Sequence, residues 1–309
     1  MNNWQLSASS RPASRRRPPY AWRFAPAFCV LVLMLSCGPS QPQLTGPAAA
    51  YANAKQTLAR GMNDSFEKAL ETLGTLSNAD PPNDYTNKAR VLSAAILCGE
   101  MDGHKMLSDA YAKGAAVTKE TALKRQYTSL HSDTQERAAH LALDLGEVVL
   151  QLTKGGALPS GLTLDVGYPN PEPGTEIPAL IQVKQGLKIG QDEVDEAALE
   201  APRIGFVNAL ASMVQGDRAK AKSELTAGPV PLASAPLALY LGNEVMGGAS
   251  LYDPKHLNDP EHFKPLLGVV DDAAQAAEAA LKQNPNADES KSLKKLQEEI
   301  KAGLKAARM

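Results

Sequence analysis

The sequence predicts an all-α protein, and three of its features support that prediction. Aromatic residues make up only 5% of the 309-residue chain, and alanine dominates its apolar fraction. Alanine has the highest helix propensity of any residue, and its small side chain lets helices pack closely. Apolar residues recur at helical spacing, and glycine or proline follows most of these runs. We therefore expect capped helices joined by turns.

The first two predicted helices have the clearest start and stop signals. Residues 47–60 form the first, and Gly61 ends it. Asp64 is the predicted N-cap of the second, and Glu67 three residues later completes a capping box. Prolines 81 and 82 then end the second helix.

The second helix resembles the second helix of a tetratricopeptide repeat. The matching positions are Phe66, Ala69, Leu73, Leu76 and Pro81. They follow that family's order of aromatic, alanine, large apolar, small apolar and closing proline, except that Leu76 stands where the family prefers alanine. The resemblance implies antiparallel helix pairs stacked as a tetratricopeptide-like α-solenoid. A generic helical bundle is the alternative, because capped alanine-rich helices look alike.

Weaker echoes of this pattern recur along the chain. The predicted segments are 83–97 with 102–113 on either side of Gly99, 116–130 with 132–154, the turn at Gly216 and Asp217 before Ala221 and Leu225, a repeat ending at 280–286, and a capping helix at 290–307. They favour a front helical array at 47–154 and a rear array at 179–309.

A Gly/Pro-rich central loop at 155–178 separates the two predicted arrays. It holds five prolines and five glycines, and residues 162–166 alternate like a short strand. A loop of this length inside a compact chain is either functional or disordered.

The N-terminus resembles that of bacterial lipoproteins. A triple arginine at 15–17 precedes a short apolar segment, and residues 33–37 read Leu-Met-Leu-Ser-Cys. The resemblance implies a signal peptide at 1–36, lipidation of Cys37 with fatty acyl chains such as palmitate, and a flexible tether at 37–46. It also implies an envelope protein facing the periplasm, and Gly38 in place of aspartate favours the outer membrane. An ordinary signal peptide and a twin-arginine signal are the alternatives.

Charge argues against nucleic acid as a partner. Removing residues 1–36 takes away five arginines and no acid, so the remainder carries 27 basic and 34 acidic residues, a net charge of −7. Nucleic-acid binding needs a basic face. Membrane affinity would come from the lipid on Cys37.

Motifs for catalysis or cofactor binding are absent from the sequence, which predicts no enzyme and no cofactor. Dinucleotide-binding, phosphate-loop, zinc-protease and paired-cysteine patterns do not occur. Asp253, His256 and His262, with Asp259 and Glu261 nearby, are weak metal-ligand candidates. Their Asp-Pro dipeptides are equally typical of turns and helix starts. Cys98 reads as a small buried residue near a helix end.

Two functional hypotheses from different classes remain. Tetratricopeptide-like arrays bind other proteins, which implies a scaffold or assembly role with a protein or peptide partner. Tyr51, Tyr85 and Tyr111 are weak partner-binding candidates, and core packing is their alternative role. The second hypothesis is a small-molecule-binding lipoprotein accessory to a solute transporter, with the central loop as a lid. A deep apolar pocket beside that loop would favour the second hypothesis, and a shallow polar groove the first.

Overall fold

The computed structural model describes residues 45–60, 64–153 and 158–249. The signal segment, Cys37, the tether up to residue 44 and the metal-ligand candidates Asp253, His256 and His262 lie outside the described residues. Within the described residues, no helix is long and apolar enough to span a bilayer.

The described part of the chain is mostly helical, as the sequence predicts. The helices are α1 (Gly46–Arg60), α2 (Ser65–Ser77), α3 (Thr86–Val117), α4 (Thr121–Thr153), α5 (Pro178–Lys184), α6 (Gln191–Met213), α7 (Arg218–Ala227) and α8 (Ser234–Ala249). Two short strands, β1 (Thr163–Leu164) and β2 (Val230–Pro231), pair antiparallel. Thr163 faces Pro231, and Leu164 faces Val230.

Helix α3 is the central element of the described structure. It packs along α4 and along α6, and α2, α5 and α8 also contact it. One apolar core lies around its first half and includes Leu92, Ile96 and Leu210. A second core lies around its last turns and includes Tyr111, Tyr127 and Val183. Residues from both predicted arrays therefore share each core.

The helix break predicted at Gly99 is wrong, because α3 continues through it. A Cβ atom on Gly99 would lie 2.4 Å from the Cα atom of Phe206, and one on Gly205 would lie 2.0 Å from the carbonyl oxygen of Gly99. Gly103 approaches Pro202 equally closely, with a Cβ-to-N distance of 2.5 Å. These glycines let the backbones of α3 and α6 touch, so they serve packing between helices and not helix termination.

The break predicted near residue 131 is also wrong, since α4 runs unbroken from Thr121 to Thr153. His131 Nδ1 lies 2.8 Å from the Ser108 hydroxyl on α3. Ala138, Ala142 and Leu145 are fully buried along the same helix. Contacts along the length of α3 therefore hold both halves of α4 in one helix.

The second predicted helix is confirmed as α2, but its capping box is not formed. Ala69 and Leu73 are fully buried, as the apolar spacing predicts. Asp64 stands at the N-cap without a capping hydrogen bond from its side chain. Its carboxylate pairs instead with Lys68 one turn later. By contrast, the predicted start of α7 is confirmed, because Asp217 accepts a 2.8 Å hydrogen bond from the Lys220 amide.

Candidate functional site

The central loop is an ordered connection between distant helices in its described part, residues 158–177. Its β1 strand pairs with β2 after α7. On one side, the Tyr51 hydroxyl donates a 2.9 Å hydrogen bond to the Asp165 carbonyl, and Lys55 pairs with the Asp165 carboxylate. These contacts attach the loop to α1.

Arg218 attaches the other end of the central loop. Its guanidinium donates to the carbonyls of Pro173 and Gly174, at 3.2 and 2.9 Å, and to the Asn208 side chain at 2.9 Å. Lys222 on α7 pairs with Glu172 at 3.1 Å. One arginine thus bridges the loop, α6 and α7.

Two cavities lie beside these elements, one small and one open to solvent. The one that contacts the loop at residues 169–171 also touches Phe66 and Phe206 and has a volume of about 40 Å³. A wider groove of about 490 Å³ lies beside β2, with Gln215, Lys220 and Glu224 on its wall. Sites for small organic ligands are usually enclosed and about 300–1,000 Å³ in volume. The loop cavity is too small for such a ligand, and the wider groove is open and partly charged.

A partly buried polar cluster joins α3 to α8. Cys98, Asp102 and Lys105 lie on one face of α3, and Tyr240 and Glu244 lie opposite on α8. Lys105 Nζ is 3.4 Å from Asp102 Oδ1 and 3.9 Å from Glu244 Oε2. A single ammonium group therefore serves two carboxyl groups.

The two carboxyl groups of this cluster have raised pKa values. Burial, together with the nearby Asp102 carboxylate, raises the pKa of Glu244 to about 7, although Lys105 opposes the shift. Burial likewise raises the pKa of Asp102. Burial also raises the pKa of the Cys98 thiol well above its usual value, so this thiol is not poised for nucleophilic chemistry. The cluster is therefore a polar contact between two helices in which the charged carboxylates are disfavoured by burial.

Metal chemistry gains no support from this cluster. Among the described residues, no three His, Cys, Asp or Glu side chains are grouped so that they could hold a metal ion. Glu100 on α3 is a separate buried acid, and its burial raises its pKa to about 7. His104 nearby has its pKa lowered to about 4 by burial and by the Arg137 charge.

The tyrosine candidates occupy two kinds of environment. Tyr51 is 2% exposed and Tyr111 is 1% exposed, so both rings belong to the core. Their burial agrees with the packing role that the sequence left open. Tyr85 is partly exposed at the start of α3, where its ring lies 5.6 Å from that of Tyr51.

Three exposed apolar side chains that sequence reasoning missed lie on the last turn of α3, on α5 and just after α5. We call the surface that carries them the distal surface, and its apolar members are Val117, Ile181 and Leu187, which are 48%, 42% and 51% exposed. A Cβ atom on Gly186 would lie 2.9 Å from Val117 Cγ2, and the Tyr127 hydroxyl donates to the Leu187 carbonyl. The last turn of α3, the first turns of α4 and the end of α5 therefore meet here.

Exposed basic residues lie in the same segments as these apolar residues. The basic members of the distal surface are Lys113, Lys119, Lys124, Arg125, Lys184 and Lys188. Segments 113–125 and 181–190 contain these six and one acid, Glu120. None of the six forms an ion pair with another described residue. Lysines are common on protein surfaces, so the lysines alone do not indicate a binding site. Their combination with exposed apolar side chains does.

The start of the described chain lies at the opposite end of α3. Tyr51 on α1 contacts Tyr85, the residue before α3 begins. Helix α3 has 32 residues. At 1.5 Å per residue it extends over about 48 Å. The distal surface is thus separated by most of the length of α3 from the point where the described chain begins.

Comparisons with protein-family models, with curated proteins and with solved structures found no match to this chain. Any function must therefore be argued from the residues and their geometry.

Proposed function

We propose that this chain is a lipid-anchored, non-enzymatic helical protein of the bacterial cell envelope that binds a protein partner through its distal surface. The observation that carries the proposal is the position of the exposed apolar residues. Three of the four large apolar side chains recorded as exposed in the described chain belong to this one surface, and the fourth is Leu199. Clustered apolar groups rimmed by polar ones are typical of protein interaction sites.

The proposed anchor at Cys37 and the distal surface are separate features of the chain. Residues 37–45 span at most about 30 Å when extended. Since Tyr51 on α1 lies beside Tyr85 at the beginning of α3, the described chain begins far from the distal surface. We propose that the anchored protein faces the periplasm. Outer-membrane attachment, which Gly38 favours, is part of the proposal.

A tetratricopeptide-like arrangement is proposed for the front of the molecule. Its support is the contact between α1 and α2 and the burial of Ala69 and Leu73 at motif positions. Helices α3 and α4, each longer than 30 residues, would extend this stack as one long pair. We propose the α-solenoid only in this divergent form.

The alternative, a small-molecule-binding lipoprotein accessory to a transporter, has less support. The cavity that touches the central loop measures about 40 Å³, which is below the size of a solute site. The groove near β2 has a volume of about 490 Å³, but it is open to solvent and carries charged side chains on its wall. Both observations favour the protein-binding hypothesis.

The anchor is tested by replacing Cys37. We expect the wild-type chain to fractionate with membranes and to incorporate a labelled fatty acid, and Cys37→Ser to lose both properties. Cys98→Ser is the matched control, because it changes the other cysteine of the proposed mature chain and should leave membrane association intact. Unchanged fatty-acid labelling of Cys37→Ser would refute lipidation at that residue.

Protein binding is tested by a photo-crosslinking amino acid placed at Leu187 in the full chain in cells. We expect ultraviolet light to produce adducts with a protein other than this chain. The same amino acid at Lys88, on the first turn of α3, should not give those adducts. Adducts with lipid, with residues 250–309 of the same chain or with a second copy, in place of another protein, would overturn the proposed partner.

A further inference from the structure

Building on the proposed function, we infer that the distal surface binds an acidic, amphipathic segment of its protein partner. The occupant would place apolar side chains against Val117, Ile181 and Leu187 and carboxylates beside the surrounding lysines. The chemistry of this surface differs from that of the chain as a whole, which is acidic after residue 36.

The charges on this surface are available to a partner. Lys119 lies in the turn between α3 and α4, Lys124 lies in the first turn of α4, and Lys188 follows Leu187 directly. All three are exposed, and none forms an ion pair with a described residue. A carboxylate of a partner would therefore gain an ion pair without breaking one.

The acids nearby define one boundary of the surface. Helix α6 starts with Asp192, Glu193, Asp195 and Glu196. Glu193 is occupied, since its carboxylate accepts a 2.7 Å hydrogen bond from the Gly190 amide, and Asp195 accepts one of 2.8 Å from Gln191. The remaining charge would repel an acidic segment from α6. The segment should therefore lie across the α3–α4 turn and the end of α5.

The exposed apolar residues of the distal surface indicate that the bound segment also carries apolar side chains. Leu187 is half exposed although its own carbonyl is held by the buried Tyr127, so its position is fixed by the core beneath it. Gly186, with φ of +75°, lies against Thr118 and gives the loop a conformation that other residues adopt rarely. A preformed apolar platform of this kind binds without a large ordering cost. A purely acidic, unstructured segment would leave it exposed.

A pair of designed peptides tests this inference on the full-length acylated protein in detergent. One peptide carries leucines on one helical face and glutamates on the other, and its partner peptide has lysine in place of every glutamate. We expect the glutamate peptide to bind, and its Kd to rise by roughly tenfold between about 0.05 M and about 0.3 M salt, because exposed charges are screened. The lysine peptide should not bind.

Matched variants locate the binding. The triple change Lys119→Glu, Lys124→Glu and Lys188→Glu should weaken the glutamate peptide by at least about tenfold. Leu187→Ser should weaken binding of the glutamate peptide even at high salt, because the loss is of apolar contact. Lys88→Glu, a reversal at the opposite end of α3, should have no effect, and equal melting temperatures would establish that all variants are folded.

The possible results separate this inference from the proposed function. Equal binding of both peptides, no salt dependence or indifference to the triple change would overturn the acidic occupant. If Leu187 still formed adducts with another protein in cells, protein binding would stand without it. If Leu187 formed no adducts with another protein in cells, both the proposed protein binding and the acidic occupant would be overturned.

Discussion

The contact between α3 and α6 depends on two residues that lack side chains. The Gly99 and Gly205 backbones meet so closely that a Cβ on Gly205 would lie 2.0 Å from an oxygen atom of its neighbour. Gly99→Ala should destabilise the fold by roughly 1–3 kcal/mol, the usual cost of overpacking a core, because backbone atoms must move to accept the methyl group. Urea-induced unfolding monitored by circular dichroism measures the change.

A matched glycine on α2 provides the control. A Cβ on Gly74 would meet no atom within 4 Å. Gly74→Ala should therefore stabilise the chain by roughly 0.5–1 kcal/mol, the helix-propensity difference between the two residues. If Gly99→Ala were as stable as Gly74→Ala, the close crossing would be wrong.

The Glu244 carboxyl group makes stability depend on pH. Its pKa is about 7 in the folded chain and near the ordinary value of 4.5 when unfolded, so the folded state binds the proton more tightly. Its contribution is complete below about pH 4.5 and is lost as the pH rises to about 7. Glu244→Gln should reduce this loss and stabilise the protein at pH 8 by roughly 1–3 kcal/mol.

The control for this prediction is Glu71→Gln, an identical change at an exposed position of α2. It should leave the pH dependence as in the wild type. Melting temperatures measured from pH 4 to pH 8 would report both variants. A Glu244→Gln profile parallel to that of wild type would contradict the buried carboxyl contact.

Sequence reasoning predicts single residues well where local pattern decides their environment. The burial of Ala69, Leu73 and Cys98 follows from residue type and helical spacing, and the structure confirms it. It could not predict that Glu244 reaches Asp102, because the two residues are far apart in sequence and only tertiary packing brings them together. The distal surface was missed for the same reason, since Val117 and Leu187 come from different segments.

At the scale of elements, the central loop shows how polar contacts can order a segment with little regular structure. Arg218 donates to carbonyls of the loop and to Asn208. Arg218→Ala should destabilise the protein by roughly 1–3 kcal/mol and increase proteolytic cleavage within residues 158–177, because carbonyls lose a charged donor. Limited proteolysis followed by mass spectrometry measures the cleavage.

Arg125→Ala is the control for the arginine that holds the loop. Arg125 is exposed on α4 and forms no ion pair with another described residue. The control should change stability by less than about 0.5 kcal/mol. Equal protease sensitivity of the two variants would show that Arg218 does not hold the loop.

The sequence predicts the type of most elements but not all of their boundaries. The strand pattern at 162–166 is confirmed by β1, yet nothing local identifies β2 as its partner. The sequence predicts a helix end at Gly99, because glycine usually weakens helices. Its actual role depends on α6, which lies about 100 residues further along the chain and is invisible to a local pattern.

At the scale of the whole molecule, composition predicts the helical class and the structure confirms it for the described residues. The order in which helices pack was beyond the sequence, because alanine-rich faces fit one another in many combinations. Chain order suggested a front and a rear array. The described structure instead surrounds α3 with helices from both sides of the central loop.

The central position of α3 has a consequence for any attempt to divide the protein. A fragment ending after α4 would expose to water the face of α3 that carries Gly99 and Gly103 and the apolar residues beside them. A fragment beginning at β1 would lack the surface of α3 against which α6 packs. Neither fragment is expected to be soluble by itself. When the two fragments are co-expressed in one cell, they should associate and form the native fold without a peptide bond between them.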